Sequence, residues 1–295
     1  MAPFKGGVTM FCPQCRKPAS PENRFCIYCG ARLEEQLSAD EWYNRGYFFY
    51  TGTEGYPQDY DKAYACFLKA ADMNELESIN YIGVMYLDGI GKPQNTQTAI
   101  YWFRRALTVE PTFGRANFNL GRIYYDGIGV EMNYDLAYDY LCKAIHVGKM
   151  EPYYADACHF VAYIWMEVRQ QSEKSVPYVI EALRHNPEHA PAWNNLGVLC
   201  EEGYYKPAED KTPLDFYLRA AKLDMPQAMV AVGKIYLQRT LETESIPQAL
   251  KDTHNAIYWL RKAVDAGETG AEHSLEMAEL ALHELEQDLE YGGIK

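Results

Sequence analysis

The chain has 295 residues, 48% hydrophobic and 23% charged, with 25 tyrosines and only 15 prolines. That usage argues against disorder, and no run of about 18 apolar residues exists to span a bilayer. The net charge of −13 is unevenly divided, +4 over residues 1–33 and −17 over the rest, so the body of the chain repels phosphate backbones and is disfavoured as a nucleic-acid or membrane-spanning protein.

The opening residues MAPFKGGVTMFC lack the apolar segment of a secretory signal, and cytoplasm is the expected compartment. Residues 11–30, FCPQCRKPASPENRFCIYCG, hold Cys12, Cys15, Cys26 and Cys29 as two CxxC pairs ten residues apart. Two such knuckles can close a tetrahedral thiolate cage around zinc with no position left for water, which is a structural site. A rubredoxin-like iron cage is the minor alternative. A redox dithiol at CPQC is the other, and it would need a strand-to-helix junction that the surroundings do not supply. Over residues 10–33 the block resembles short N-terminal zinc-ribbon domains of many bacterial proteins, written FCPxCG and FCxxCG, with Arg16 here in place of the first glycine. So short a segment needs the metal to fold. Members of that family commonly begin at the methionine before FCPxC, so residues 1–9 are expected to be a disordered or start-site extension ahead of Met10.

Residues 34–40 read as a polar joint, with Ser38 and Glu41 forming a capping box for the first helix. Repeats follow. IGVMYLDGIGKPQN at 82–95 and LGRIYYDGIGVEMN at 120–133 share a frame in which a small residue is followed by an aromatic three on and a glycine six on. Gly83, Tyr86 and Gly89 match Gly121, Tyr124 and Gly127; Gly46, Ala162, Gly197 and Gly233 head four further copies. Each copy has a second signature, a small residue with an apolar residue four on and a small one seven on, such as Ala99, Phe103 and Ala106. Spacings of three, four and seven lie on one helical face, so each copy is a pair of short helices drawn close by small residues. The DGIG connectors supply positive φ, and Asn95 and Asn133 cap the helices after them.

Two copies depart. The fourth is short between Ala162 and Ser175 and is followed by HNPEHAPAWNNLG; the sixth carries extra residues in TLETESIPQALKDTHN, read as an exposed loop insertion. Residues 268–295 read as an acidic capping helix and tail.

Over residues 41–267 the chain resembles the Sel1-like repeat family, relatives of tetratricopeptide repeats. The resemblance implies an all-α fold, a right-handed α-solenoid of six helix pairs preceded by the small zinc ribbon, and a protein or peptide partner held on the concave face. Positions carried over from the tetratricopeptide relatives put Tyr43, Tyr47, Tyr50, Asn80, Phe118, Arg122, Tyr125, His159, Tyr163 and Asn194 on that face. The alternative is that these tyrosines pack between neighbouring repeats. Stretches of the nucleophile-elbow, phosphate-loop, Rossmann or HExxH type are absent, so a non-enzymatic adaptor is expected. A regulator whose basic ribbon touches nucleic acid comes second and an enzyme third. The single cysteines Cys66, Cys142, Cys158 and Cys200 are expected to be inert, and oligomeric state is not legible.

Overall fold

The computed structural model describes residues 10, 11, 14–19, 25, 26, 28–30, 37–207 and 210–291. Cys12, the extension 1–9 and residues 34–36 of the joint lie outside them. The chain divides into two compact units, residues 1–111 and 112–295.

In the first unit β1 (Met10–Phe11) pairs antiparallel with β2 (Pro18–Ala19), Met10 opposite Ala19. Four helices follow as two hairpins: α1 (Ala39–Thr51) with α2 (Tyr60–Ala71), and α3 (Leu76–Asp88) with α4 (Thr96–Val109). Helix α1 starts at the expected capping box, in which Ser38 Oγ accepts from Glu41 N at 3.2 Å and Glu41 Oε2 accepts from Ser38 N at 2.7 Å. It stops at Gly52, whose φ of +72° turns the chain out of the helix. Asp59 and Asn95 cap α2 and α4 through their side-chain oxygens. The DGIG connector needs both its glycines: Gly89 has φ +72°, and Gly91 has φ +67° with so little room that a Cβ would stand 2.3 Å from Cβ of Tyr60.

The second unit continues with α5 (Gly114–Asp126) and α6 (Tyr134–Val147), α7 (Tyr154–Tyr163) and α8 (Val176–His185), α9 (Ala190–Glu201) and α10 (Pro213–Lys222), α11 (Pro226–Glu242) and α12 (Ile246–Asp265), then α13 (Glu272–Tyr291). The all-α helical-repeat class expected from the sequence is the class observed, with the two-residue strands of the ribbon as its β content among the described residues.

The leading small residue sets how closely each pair packs. A Cβ built on Gly46, Gly83, Gly121, Gly197 or Gly233 would meet Phe67, Phe103, Leu141, Tyr217 or Leu260 of the partner helix at 2.5–2.7 Å. Each glycine therefore lies directly beneath the apolar residue of its copy's second signature. In the fourth copy the pair is Ala162 and Val179, both fully buried in one core cluster. A larger residue on one helix is matched by a smaller one on the other.

That copy also lacks the glycine connector. Ile164–Val168 forms a π-helical turn, closed by Arg169 N donating to Ile164 O at 2.9 Å, and a short 3-10 turn at Ser172–Lys174 leads into α8. These two turns stand where the preceding copies have their glycine connector.

The sixth copy corrects one expectation. TLETESIPQALKDTHN is not an exposed loop: all but Thr243–Ser245 is helical, and the extra residues lengthen α11 and α12. Thr240 and Thr253 are buried: Thr253 donates its hydroxyl to Ala249 O at 2.8 Å and accepts from the Thr240 hydroxyl at 3.0 Å. The frame aromatics are expected in the core from their place on the helical face, and this holds only in part. Of the frame aromatics Phe49, Tyr86, Tyr124, Trp165 and Tyr236, only Tyr124 is buried; the rest are half-buried at the edge of their hairpins. Helix α13 buries Ala278 on the preceding pair and leaves Met277, Leu280 and Leu289 exposed.

Candidate functional site

Three groupings gather the residues singled out in the sequence. The first is the thiol cluster. Cys15, Cys26 and Cys29 hold their sulfurs within 4.8 Å of one another, with Cys15 Sγ 3.6 Å from Cys26 Sγ. Metal–sulfur bonds of about 2.3 Å in a tetrahedron set sulfurs roughly 3.8 Å apart, so the three thiols fit one metal ion. Cys26 is buried, which pushes its thiol up, but backbone N–H groups of Tyr28 and Cys29 and the neighbouring thiols outweigh that and leave it below its ordinary value. The same donors would stabilise a metal-bound thiolate. The turn after each knuckle is left-handed: Gly30 has φ +69° and donates to Cys26 O, while Arg16 has φ +55°.

The second grouping is aromatic and occurs once in each unit. In the first, Tyr50 stands edge-on to Tyr60 at 5.5 Å and to Tyr81 at 5.4 Å, and Tyr43 and Tyr47 reach the same Tyr81 ring at 6.1 and 6.0 Å. In the second, Tyr125 stands edge-on to Tyr134 at 5.7 Å and to Tyr163 at 5.6 Å, with Phe160 at 4.6 Å; Phe118 stacks on Tyr153 at 5.0 Å. Tyr50 and Tyr125 occupy the same register, four after the frame residue. Both meet the tyrosine that opens the following helix and an aromatic two before the next frame residue. Asn80 does not join them and is buried, 6% exposed. Arg122 lies beside Asp126, drawing its carboxyl down against the burial that raises it. Asn194 is half-buried.

Sequence reasoning missed Tyr60, Tyr81, Tyr134 and Phe160. Two carried a signal, because DYDKA and NYDLA place Tyr60 and Tyr134 identically after their caps Asp59 and Asn133. Tyr81 and Phe160 share the position two before the frame residue, one residue away from the position carried over for Asn80 and His159.

The third grouping is polar. His159 accepts at Nδ1 from Asn195 Nδ2 at 3.2 Å and lies 5.4 Å from the ring of His189. His189 caps α9, accepting at Nδ1 from Ala192 N at 3.1 Å; its Nε2 then carries the proton and donates to Asp156 Oδ1 at 3.0 Å. Burial lowers His159 to about 4, helped by His189 and opposed by Asp156. Three of the single cysteines stay protonated: burial raises Cys142 and Cys200, and pushes Cys158 up to about 12.

Helix pairs closed by a small residue under an apolar partner define a helical-repeat protein. The Sel1 repeat model matches residues 43–75, 76–108, 114–148 and 226–268, and the zinc-ribbon domain model matches residues 11–33. The chain is a Sel1-like repeat protein with an N-terminal zinc-ribbon domain. The hairpins α7/α8 and α9/α10, with the π-helical turn and the Ala162/Val179 pair, lie between the matched segments.

The chain is 28% identical over 124 residues to cytochrome c oxidase assembly factor 7 of Xenopus tropicalis, which is 40% of this chain and 52% of that protein. It thus spans about half the length of that relative. Among solved structures, a protective antigen of uropathogenic Escherichia coli displaying an SLR fold is similar with a TM-score of 0.66 at 21% identity, covering 85% of this chain and 54% of that one. A Sel1 repeat protein from Oxalobacter formigenes is similar with a TM-score of 0.58 at 21% identity, covering 83% and 86%. These two likenesses concern the fold alone. Sel1-like repeat proteins are generally protein-interaction scaffolds, and the fold is typically non-catalytic. No helix among the described residues is long and apolar enough to cross a membrane.

Proposed function

We propose that the chain is a non-enzymatic adaptor that binds a peptide or protein segment on the helix faces carrying Tyr43, Tyr47 and Tyr50 in one unit and Phe118, Tyr125 and Tyr163 in the other, with a ribbon folded by structural zinc. The observation that carries the reading is the tyrosine grouping built twice in the same register. Tyrosine offers a large amphipathic contact at low entropy cost; Tyr47 is exposed and the other five rings are half-buried, leaving area for a ligand. Arg122, beside Asp126, lies one turn before Tyr125 on the same helix. Such an adaptor suits the cytoplasm, where the thiols stay reduced.

The test is affinity capture from the native cell with the wild type beside a Tyr47→Ala, Arg122→Ala, Tyr163→Ala variant shown to be folded by circular dichroism. Loss of specific partners from the variant is expected. Equal recovery by both proteins would refute this binding face.

One observation favours a second reading. Phe25 and Tyr28 of the ribbon are 58% and 55% exposed, and Lys17 lies 4.9 Å over the Tyr28 ring beside Arg16. Exposed rings among basic side chains can stack on unpaired bases. Salt-dependent binding of a single-stranded oligonucleotide, lost in Tyr28→Ala, would support a nucleic-acid contact there. Absent or salt-insensitive binding would remove it.

A further inference from the structure

The geometry points to Tyr125, Tyr134, Phe160 and Tyr163 as the seat of a cationic side chain, lysine or arginine, on the bound segment, with Glu167 as its counter-ion. This rests on the peptide-binding reading above and names the chemistry of the partner.

The four rings come from α5, α6 and α7, with Tyr125 at 4.6–5.7 Å from each of the other three. All four are half-buried. Glu167 is exposed and falls in the π-helical turn directly after Tyr163, four residues on from that ring. Its charge is felt there. Burial first raises both phenols; on Tyr125 the neighbouring phenols Tyr163 and Tyr134 act next, with Asp126 and Glu167 adding less, and on Tyr163 Glu167 is the next cause after burial. Asp126 has Arg122 beside it, which leaves Glu167 as the charge available to an incoming cation.

Elsewhere this chain completes such pairs itself. Arg169 lies 4.0 Å over Tyr138 and 4.7 Å over Trp165, Lys174 4.7 Å over Trp165, and Lys143 5.5 Å over Tyr140. Among the described residues no lysine or arginine lies over Tyr125, Tyr134, Phe160 or Tyr163. Aromatic faces attract cations, and more so beside a carboxylate. The wider field agrees, since residues 112–295 hold 17 lysines and arginines against 28 aspartates and glutamates, a net of −11. A basic segment is drawn to this surface and an acidic one is repelled. A proline-rich or purely apolar segment could use the rings but would gain nothing from Glu167.

The test uses the full zinc-loaded chain. A random dodecapeptide library is selected against it, and enriched peptides are measured by fluorescence anisotropy. The expected consensus contains lysine or arginine, and replacing that residue by norleucine weakens binding about tenfold. Glu167→Gln should weaken the basic peptide roughly fivefold, the range of a lost cation contact, and leave the norleucine peptide unchanged. Tyr163→Leu should weaken both, and Glu284→Gln on α13 neither. Glu167 is exposed, so its substitution does not threaten folding, and circular dichroism checks Tyr163→Leu. Peptides that depend on Tyr163 but lack a basic residue would overturn this inference and leave the peptide-binding reading standing. Peptides indifferent to Tyr163→Leu, or no enrichment at all, would overturn both.

Discussion

His159 ties a side-chain environment to the stability of the fold. Burial holds its imidazole at about 4, against about 6.5 in an unfolded chain. A histidine depressed on folding contributes its full share of stability above about pH 6.5 and loses it as the pH falls toward 4, because the unfolded state takes up the proton first. That gap corresponds to about 3 kcal/mol. Urea unfolding between pH 7.5 and 4.5 should therefore show a steeper loss for wild type than for His159→Gln; parallel profiles would contradict this account. The histidine was visible in the sequence, but its neighbours were not. His189 and Asn195 reach it from the following repeat, and one sequence displays no contact across 30 residues or more. Frame aromatics misled in the opposite sense: tyrosine marks the helix face well, yet its hydroxyl seeks an edge, as when Tyr86 meets Tyr64 at 3.0 Å between hydroxyls.

Helix pairing follows from volume. Gly83→Ala would force a methyl to 2.5 Å from the Phe103 ring, an overpacking expected to cost about 1–3 kcal/mol. Adding Phe103→Val should recover part of that loss by reproducing the Ala162/Val179 pair, so the double variant is expected to be more stable than the two single losses combined. Strict additivity in denaturant unfolding would rule out the coupling. These hairpins were legible because glycine, alanine and a bulky residue recur at helical spacing, and because Asn95, Asn133 and Ser38 announce helix starts. The lengthened α11 and α12 were not. Their added contact is made by Thr240, Thr253 and Asp252, small polar residues that sink into a helix interface without an apolar stripe. The π-helical turn had no sequence sign beyond a missing connector.

Metal and helices are separate sources of order within the chain. The thiol cluster would give the ribbon its folding free energy, whereas α1 begins at its own capping box and packs on α2. Chelation should therefore release one zinc per chain and expose the four cysteines to a thiol reagent, while the far-ultraviolet helical signal changes little. Arg16→Gly should slow the release, since a non-glycine residue in the left-handed region costs roughly 1–2 kcal/mol. Collapse of the helical signal on chelation, or faster release from Arg16→Gly, would count against this division. The CxxC spacing was enough to expect a metal cage; the strain at Arg16 needed the backbone.

The glycine beneath each bulky residue has an evolutionary reading as well. Two facing positions, 20 or 21 apart in four of the copies, compete for one space, so in any alignment of these repeats a larger residue at the first should accompany a smaller one at the second, as Ala/Val stands beside Gly/Phe, Gly/Leu and Gly/Tyr within this chain. A lineage can enlarge one helix surface only after, or together with, shrinking the other. The two columns then count as a single heritable character.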